Sequence, residues 1–126
     1  MLNLFILLLS SLTLKSLPPM NITYKSTLNI PFVGTQKLYL KRLENDKAYL
    51  IINGLVKTNG YIYYNKIQDN TFEYHLDENL INILKKYKVS INNIDYDEKN
   101  DISIVDIKIN LLNFKKKIEF IKYEND

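Results

Sequence analysis

The chain has 126 residues, 46% of them hydrophobic, no cysteine and a formal charge of +3. That length suits one domain with a core of its own, and the missing cysteines exclude disulfide staples, thiol catalysis and cysteine zinc sites. A charge this weak, with Arg42 as the single arginine, argues against nucleic acid as a partner.

Leu2–Leu14, LNLFILLLSSLTL, is an apolar run broken by a few small polar residues. It is too short to cross a bilayer comfortably and suits the core of a signal peptide. No lysine or arginine precedes it and no clean small-x-small cleavage site follows. The expectation is a leader over residues 1–18, a single β-rich domain over 19–126, and a secreted or extracytoplasmic location. An uncleaved anchor is the alternative, and the only expected contact with a membrane. Asn21-Ile22-Thr23 is the sole glycosylation acceptor, almost on the expected cut.

From Asn21 the apolar period becomes two, the signature of a half-buried strand. Tyr24, Leu28 and Ile30 share one face, Pro31 ends the strand and Gly34 permits a turn. Leu38 and Leu40 share a face in the next strand, and Glu44-Asn45-Asp46 reads as a hairpin turn. Ala48–Ile52 is a third strand, with a bulge or bend at Asn53-Gly54. Asn59-Gly60, between Leu55–Thr58 and Tyr61–Tyr64, predicts a type I′ hairpin turn, because both residues tolerate positive φ. A turn near Gln68-Asp69-Asn70 leads into Thr71–Leu76, where Phe72, Tyr74 and Leu76 alternate with Glu73 and His75.

Asp77–Tyr87 is the one clear helix after the leader. Leu80, Ile81, Leu84 and Tyr87 form an apolar stripe, Asp77 stands at the N-cap, and Lys85 and Lys86 complement the last turn. Such a helix must bury its stripe against a sheet. Val89–Asp97 then returns to strand, with a bulge at Asn92-Asn93 because Ile91 and Ile94 are out of phase. Ile102–Leu112, a turn at Asn113-Phe114 and a last strand ending near Tyr123 complete the pattern.

No residues form a recognisable catalytic set. His75, the only histidine, points outward with Glu73 and Asp77, and no serine or threonine sits in a nucleophile motif. The acidic loop around Asp95, Asp97, Glu98 and Asp101 lacks the spacing and central glycine of a calcium hand. Lys85-Lys86-Lys88 and Lys115-Lys116-Lys117 read as solvated faces or strand starts that discourage edge pairing. Catalytic residues, metal and cofactor are therefore all expected to be none. Ten tyrosines are more suggestive. Tyr24, Tyr74 and Tyr96 fall in phase with apolar neighbours, so each needs a partner for a buried hydroxyl. They line either a dry core or a ligand cavity, with Leu84 above them.

The pattern predicts a mainly β fold: an antiparallel meander of about eight strands, forming a closed or half-open barrel with one short helix. A two-sheet β-sandwich is the alternative. The outline is similar to small lipocalin-type barrels in topology, although the chain has no tryptophan and so no early Gly-x-Trp signature. Its helix also sits between strands. An eight-stranded barrel is just wide enough to be filled or to hold one small ligand. The expected function is a non-catalytic carrier or sequestering protein for a small apolar or amphipathic ligand. The alternative is a protein–protein interaction or structural role for the sheet surface.

Overall fold

The computed structural model describes residues 13–55 and 57–123. Its strands are β1 (Thr13–Leu14), β2 (Thr23–Ile30), β3 (Gly34–Glu44), β4 (Lys47–Asn53), β5 (Lys57–Gln68) and β6 (Thr71–Leu76). After helix α1 (Glu78–Lys86) come β7 (Val89–Asp97), β8 (Ile102–Ile109) and β9 (Phe114–Lys122). Strands β2 to β6 form one meander and β7 to β9 a second, and β9 pairs with β2 to join them. Eight antiparallel strands therefore make one sheet that curls into a half-barrel. A single continuous sheet replaces the sandwich alternative.

In this cycle every consecutive pair of long strands is bonded except β6 and β7. That seam is where the chain leaves the sheet to form α1, which packs against β5 and β7. Two-residue β1 pairs with β6 through Thr13↔Glu73 and Leu14↔Phe72 and reaches β7. The edge of β6 is thus partly covered by β1, and that of β7 by α1 and β1, which limits pairing with another chain.

Alternation decides what faces inward. Tyr24, Leu28, Leu38, Leu40, Ile62 and Tyr64 are all buried, each two or four residues from the next on its own strand. The β2–β3 turn follows Pro31, with Phe32 and Gly34 at positive φ. Asn70 and Asn113 take the left-handed conformation at two further turns, as short polar side chains can. The register slips between Ile91 and Asn93, where the bulge was expected.

Asn59-Gly60 is not a hairpin turn. Both residues lie inside β5, opposite Ile51 and Leu50, and the chain instead reverses near Gly54-Leu55. Gly60 answers a packing demand. A Cβ there would lie 2.5 Å from Leu80 Cγ and 2.7 Å from Asp77 Oδ1, so its bare backbone lets α1 settle on the sheet. Asp77 then holds both elements, accepting from its own helix at Leu80 N (2.9 Å) and from β5 at Tyr61 N (2.8 Å). Asn79 Nδ2 adds a bond to the Asn59 carbonyl at 2.6 Å. The apolar stripe is Leu80, Ile83, Leu84 and Tyr87, while Ile81 faces outward.

Most of the expected leader lies outside the described residues. Its end is part of the sheet and the core. Leu14 and Pro18 are buried, Ser16 Oγ donates to the Tyr96 carbonyl at 3.0 Å, and Arg42 Nη1 donates to the Pro18 carbonyl at 2.8 Å. Residues 14–21 cross one end of the half-barrel, from β6 past β7 to β3, and enter β2.

Candidate functional site

The inward side chains leave a cavity of about 360 Å³. Its floor includes Leu14 and Pro18, its walls include Leu38, Leu40, Ile62 and Ile107, and Leu80, Ile83 and Leu84 of α1 close the seam side. The volume is at the lower end of ordinary small-molecule sites.

The opening is located by which apolar lining residues remain exposed. Val33, Leu55, Tyr87, Leu111 and Leu112 all line the cavity and all reach solvent, Leu55 at 74% and Leu111 at 73%. Register puts them at one end. Ile30 pairs with Gly34, Asn53 with Lys57, Val89 with Ile109, and Ile109 with Phe114. The mouth is therefore framed by the β2–β3 turn, the β4–β5 bend, the C-terminus of α1 and the β8–β9 connection. The opposite end carries the 14–21 crossing and the turns at 44–47, 68–71 and 97–102.

Among the described residues, two polar side chains on this apolar wall find no hydrogen-bond partner. Gln36 is 4% exposed and neither its Oε1 nor its Nε2 is hydrogen-bonded. Ser103 is 3% exposed with an unpartnered Oγ. A buried amide without partners costs about 1–3 kcal/mol. Gln36 stands on β3 opposite Leu28, within the mouth half, and packs where Gly54 has no side chain. Sequence reading passed over it because one polar residue between Thr35 and Lys37 looks like a strand end. Its inward phase with Leu38 and Leu40 was the available signal.

Of the residues expected on a cavity wall, Leu84 and Tyr96 are there, joined by Tyr64. Tyr24 and Tyr74 are buried but lie off this wall. Tyr24 and Tyr96 meet edge to face, ring centroids 6.4 Å apart, and both hydroxyls donate to Asp101 Oδ1, Tyr96 at 2.6 Å. Those two bonds hold the Asp101 carboxyl below its usual range. Burial, then the bond to Asp101, pushes the Tyr24 hydroxyl up. Burial also raises Tyr64, to about 12, against an opposing pull from Arg42. Tyr24 and Tyr96 stay as neutral phenols over the Asp101 carboxylate at neutral pH. The Tyr74 hydroxyl has no partner among the described residues.

The acidic loop is engaged with itself. Asp97 Oδ1 accepts from Lys99 N at 3.1 Å and Asn100 N at 3.3 Å, and Oδ2 accepts from Asn100 Nδ2 at 2.7 Å. His75 Nε2 lies 3.5 Å from Glu73 Oε1 on the outer face. Among the described residues no cluster of three or more His, Cys, Asp or Glu could hold a metal, and no helix is long and apolar enough to cross a membrane. No family model, curated protein or solved structure matches this chain.

Proposed function

We propose that this protein is a non-catalytic carrier or sequestering protein, exported from the cytoplasm, for one small amphipathic molecule with a hydrocarbon body. The observation behind this reading is the apolar cavity whose exposed apolar rim is framed at one end of the half-barrel. Its walls match a hydrocarbon body, and each buried methylene contributes about 0.8 kcal/mol before the costs of association. Gln36 supplies one donor and one acceptor near the mouth, which suits a hydroxyl, amide or carboxyl head.

Fluorescence titration with two probes tests the proposal: diphenylhexatriene, wholly apolar, and parinaric acid, which carries a polar head. Both should bind, and Ile52→Trp, at a half-buried wall position, should block both while the far-ultraviolet dichroism is unchanged. Gln36→Leu should weaken parinaric acid alone, by about 0.5–1.5 kcal/mol. Binding that ignores Ile52→Trp would reject the cavity as the site.

A second reading has one observation in its favour. Tyr49, Tyr61 and Tyr63 cluster on the outer face of β4 and β5, with centroids 5.1 and 6.2 Å apart and Lys47 Nζ 4.3 Å from the Tyr61 centroid. Such a rigid aromatic surface suits a protein partner.

A further inference from the structure

The two ends of the half-barrel have opposite chemistry. The four segments that frame the mouth, residues 30–37, 53–57, 83–90 and 108–116, contain no aspartate or glutamate. They carry exposed Lys37, Lys57, Lys85, Lys86, Lys88 and Lys115. Between these cations stand apolar tips. Phe32 is fully exposed, and Leu55 and Leu111 are nearly three-quarters exposed. Phe32 is held at the crest of its turn by a positive φ of 66°, a conformation that a bulky residue rarely adopts. At the far end the turns carry Glu44, Asp46, Asp69, Asp97, Glu98 and Asp101, accompanied by Lys47 and Lys99.

We propose that the mouth is a docking surface for an anionic lipid bilayer. Phe32, Leu55 and Leu111 enter the boundary between headgroups and acyl chains, and the surrounding lysines pair with lipid phosphates and carboxylates. Apolar tips ringed by cations match a surface that is apolar beneath and negative above. The acidic far end is repelled by the same surface, so the field orients the molecule mouth-down. A protein partner would need a convex acidic body with a greasy crown, whereas a bilayer supplies both layers everywhere. Docked in this way, the cavity opens directly onto the acyl chains, without an aqueous gap between lipid and wall. The surface stands on the rim residues alone, whether or not the cavity takes a ligand.

Sedimentation with vesicles tests it. The full chain should pellet with equimolar phosphatidylcholine and phosphatidylserine, and far less with phosphatidylcholine alone. Each lysine near the surface contributes a roughly fivefold factor in partitioning, so Lys85→Glu with Lys86→Glu should reduce binding by more than tenfold. Raising salt should act in the same direction. Phe32→Ser with Leu55→Ser should also release the protein, and both side chains are exposed enough to change without disturbing the core. Lys47→Glu with Lys99→Glu, at the far end, should leave binding unchanged. Equal pelleting with both vesicles, loss of binding from the far-end pair, or indifference to the Phe32 and Leu55 changes would overturn the proposal. So would a rim that instead joins two copies of the chain, seen as a dimer that the Phe32 and Leu55 changes dissociate and vesicles do not. Cavity occupancy is measured separately in vesicle-free solution, so failure of either claim leaves the other readable.

Discussion

Gly60→Ala probes the contact on which the helix seat depends. The new Cβ would lie 2.5 Å from Leu80 Cγ and 2.7 Å from Asp77 Oδ1, where carbon atoms normally sit about 3.5–4.0 Å apart. Roughly 1 Å of movement is needed. It cannot come from β5, whose Gly60 pairs with Leu50 inside the sheet, so α1 must lift. Lifting disturbs Leu80, 2% exposed, and the Asp77 cap that also bonds Tyr61 N. Overpacking costs about 1–3 kcal/mol and a lost cap about 1 kcal/mol, offset by about 0.4–1 kcal/mol from a stiffer unfolded chain. The net expectation is a loss of about 2–3 kcal/mol in urea unfolding, with an unchanged slope. Pairing Gly60→Ala with Leu80→Ala should make the combined loss smaller than the sum, because removing the leucine makes room for the methyl. A Gly60→Ala protein as stable as the parent would refute the docking argument.

Leu80→Ala alone should cost about 2–5 kcal/mol, whereas half-buried Leu84→Ala should cost less and act mainly on ligand binding. Asp101 gives an acid limb to stability. Its folded pKa is depressed, so its contribution is complete above the ordinary carboxylate range and is lost as pH falls through the folded value. Asp101→Asn should flatten that limb in unfolding measured from pH 6 downward, and an unchanged limb would dismiss the Tyr24–Asp101–Tyr96 arrangement as its source. A chain starting at Pro19 should lose the cavity floor and the cover over β6. It should melt lower than a chain starting at Thr13 and should aggregate more readily, and equal melting temperatures would show that the 14–18 contacts contribute nothing.

Local chemistry was legible wherever it was also sufficient. The Asp77 cap, the Asn92 bulge and the Asn70 and Asn113 turns follow from side-chain period and turn propensity, and all are present, whereas the helix stripe was legible except that Ile83 stands in it where Ile81 was expected. Asn59-Gly60 misled because the same pair that favours a tight turn also fits a strand crossed closely by a helix. Only the distant Leu80 separates the two cases, and no local window contains it. The contacts of residues 13–18 were not legible either, because their partners on β6, β7 and β3 lie far along the chain, outside any local window. The cavity was partly legible, since Tyr96 and Leu84 reach its wall. Gln36 was not, because an amide facing inward is conspicuous only once its lack of partners can be seen.

The most direct test of the carrier account is native mass spectrometry of the intact chain after incubation with a mixed lipid extract. One small molecule retained per chain, and lost in Ile52→Trp, is the predicted spectrum. A bare mass for the parent, with the fold intact by dichroism, would contradict the account.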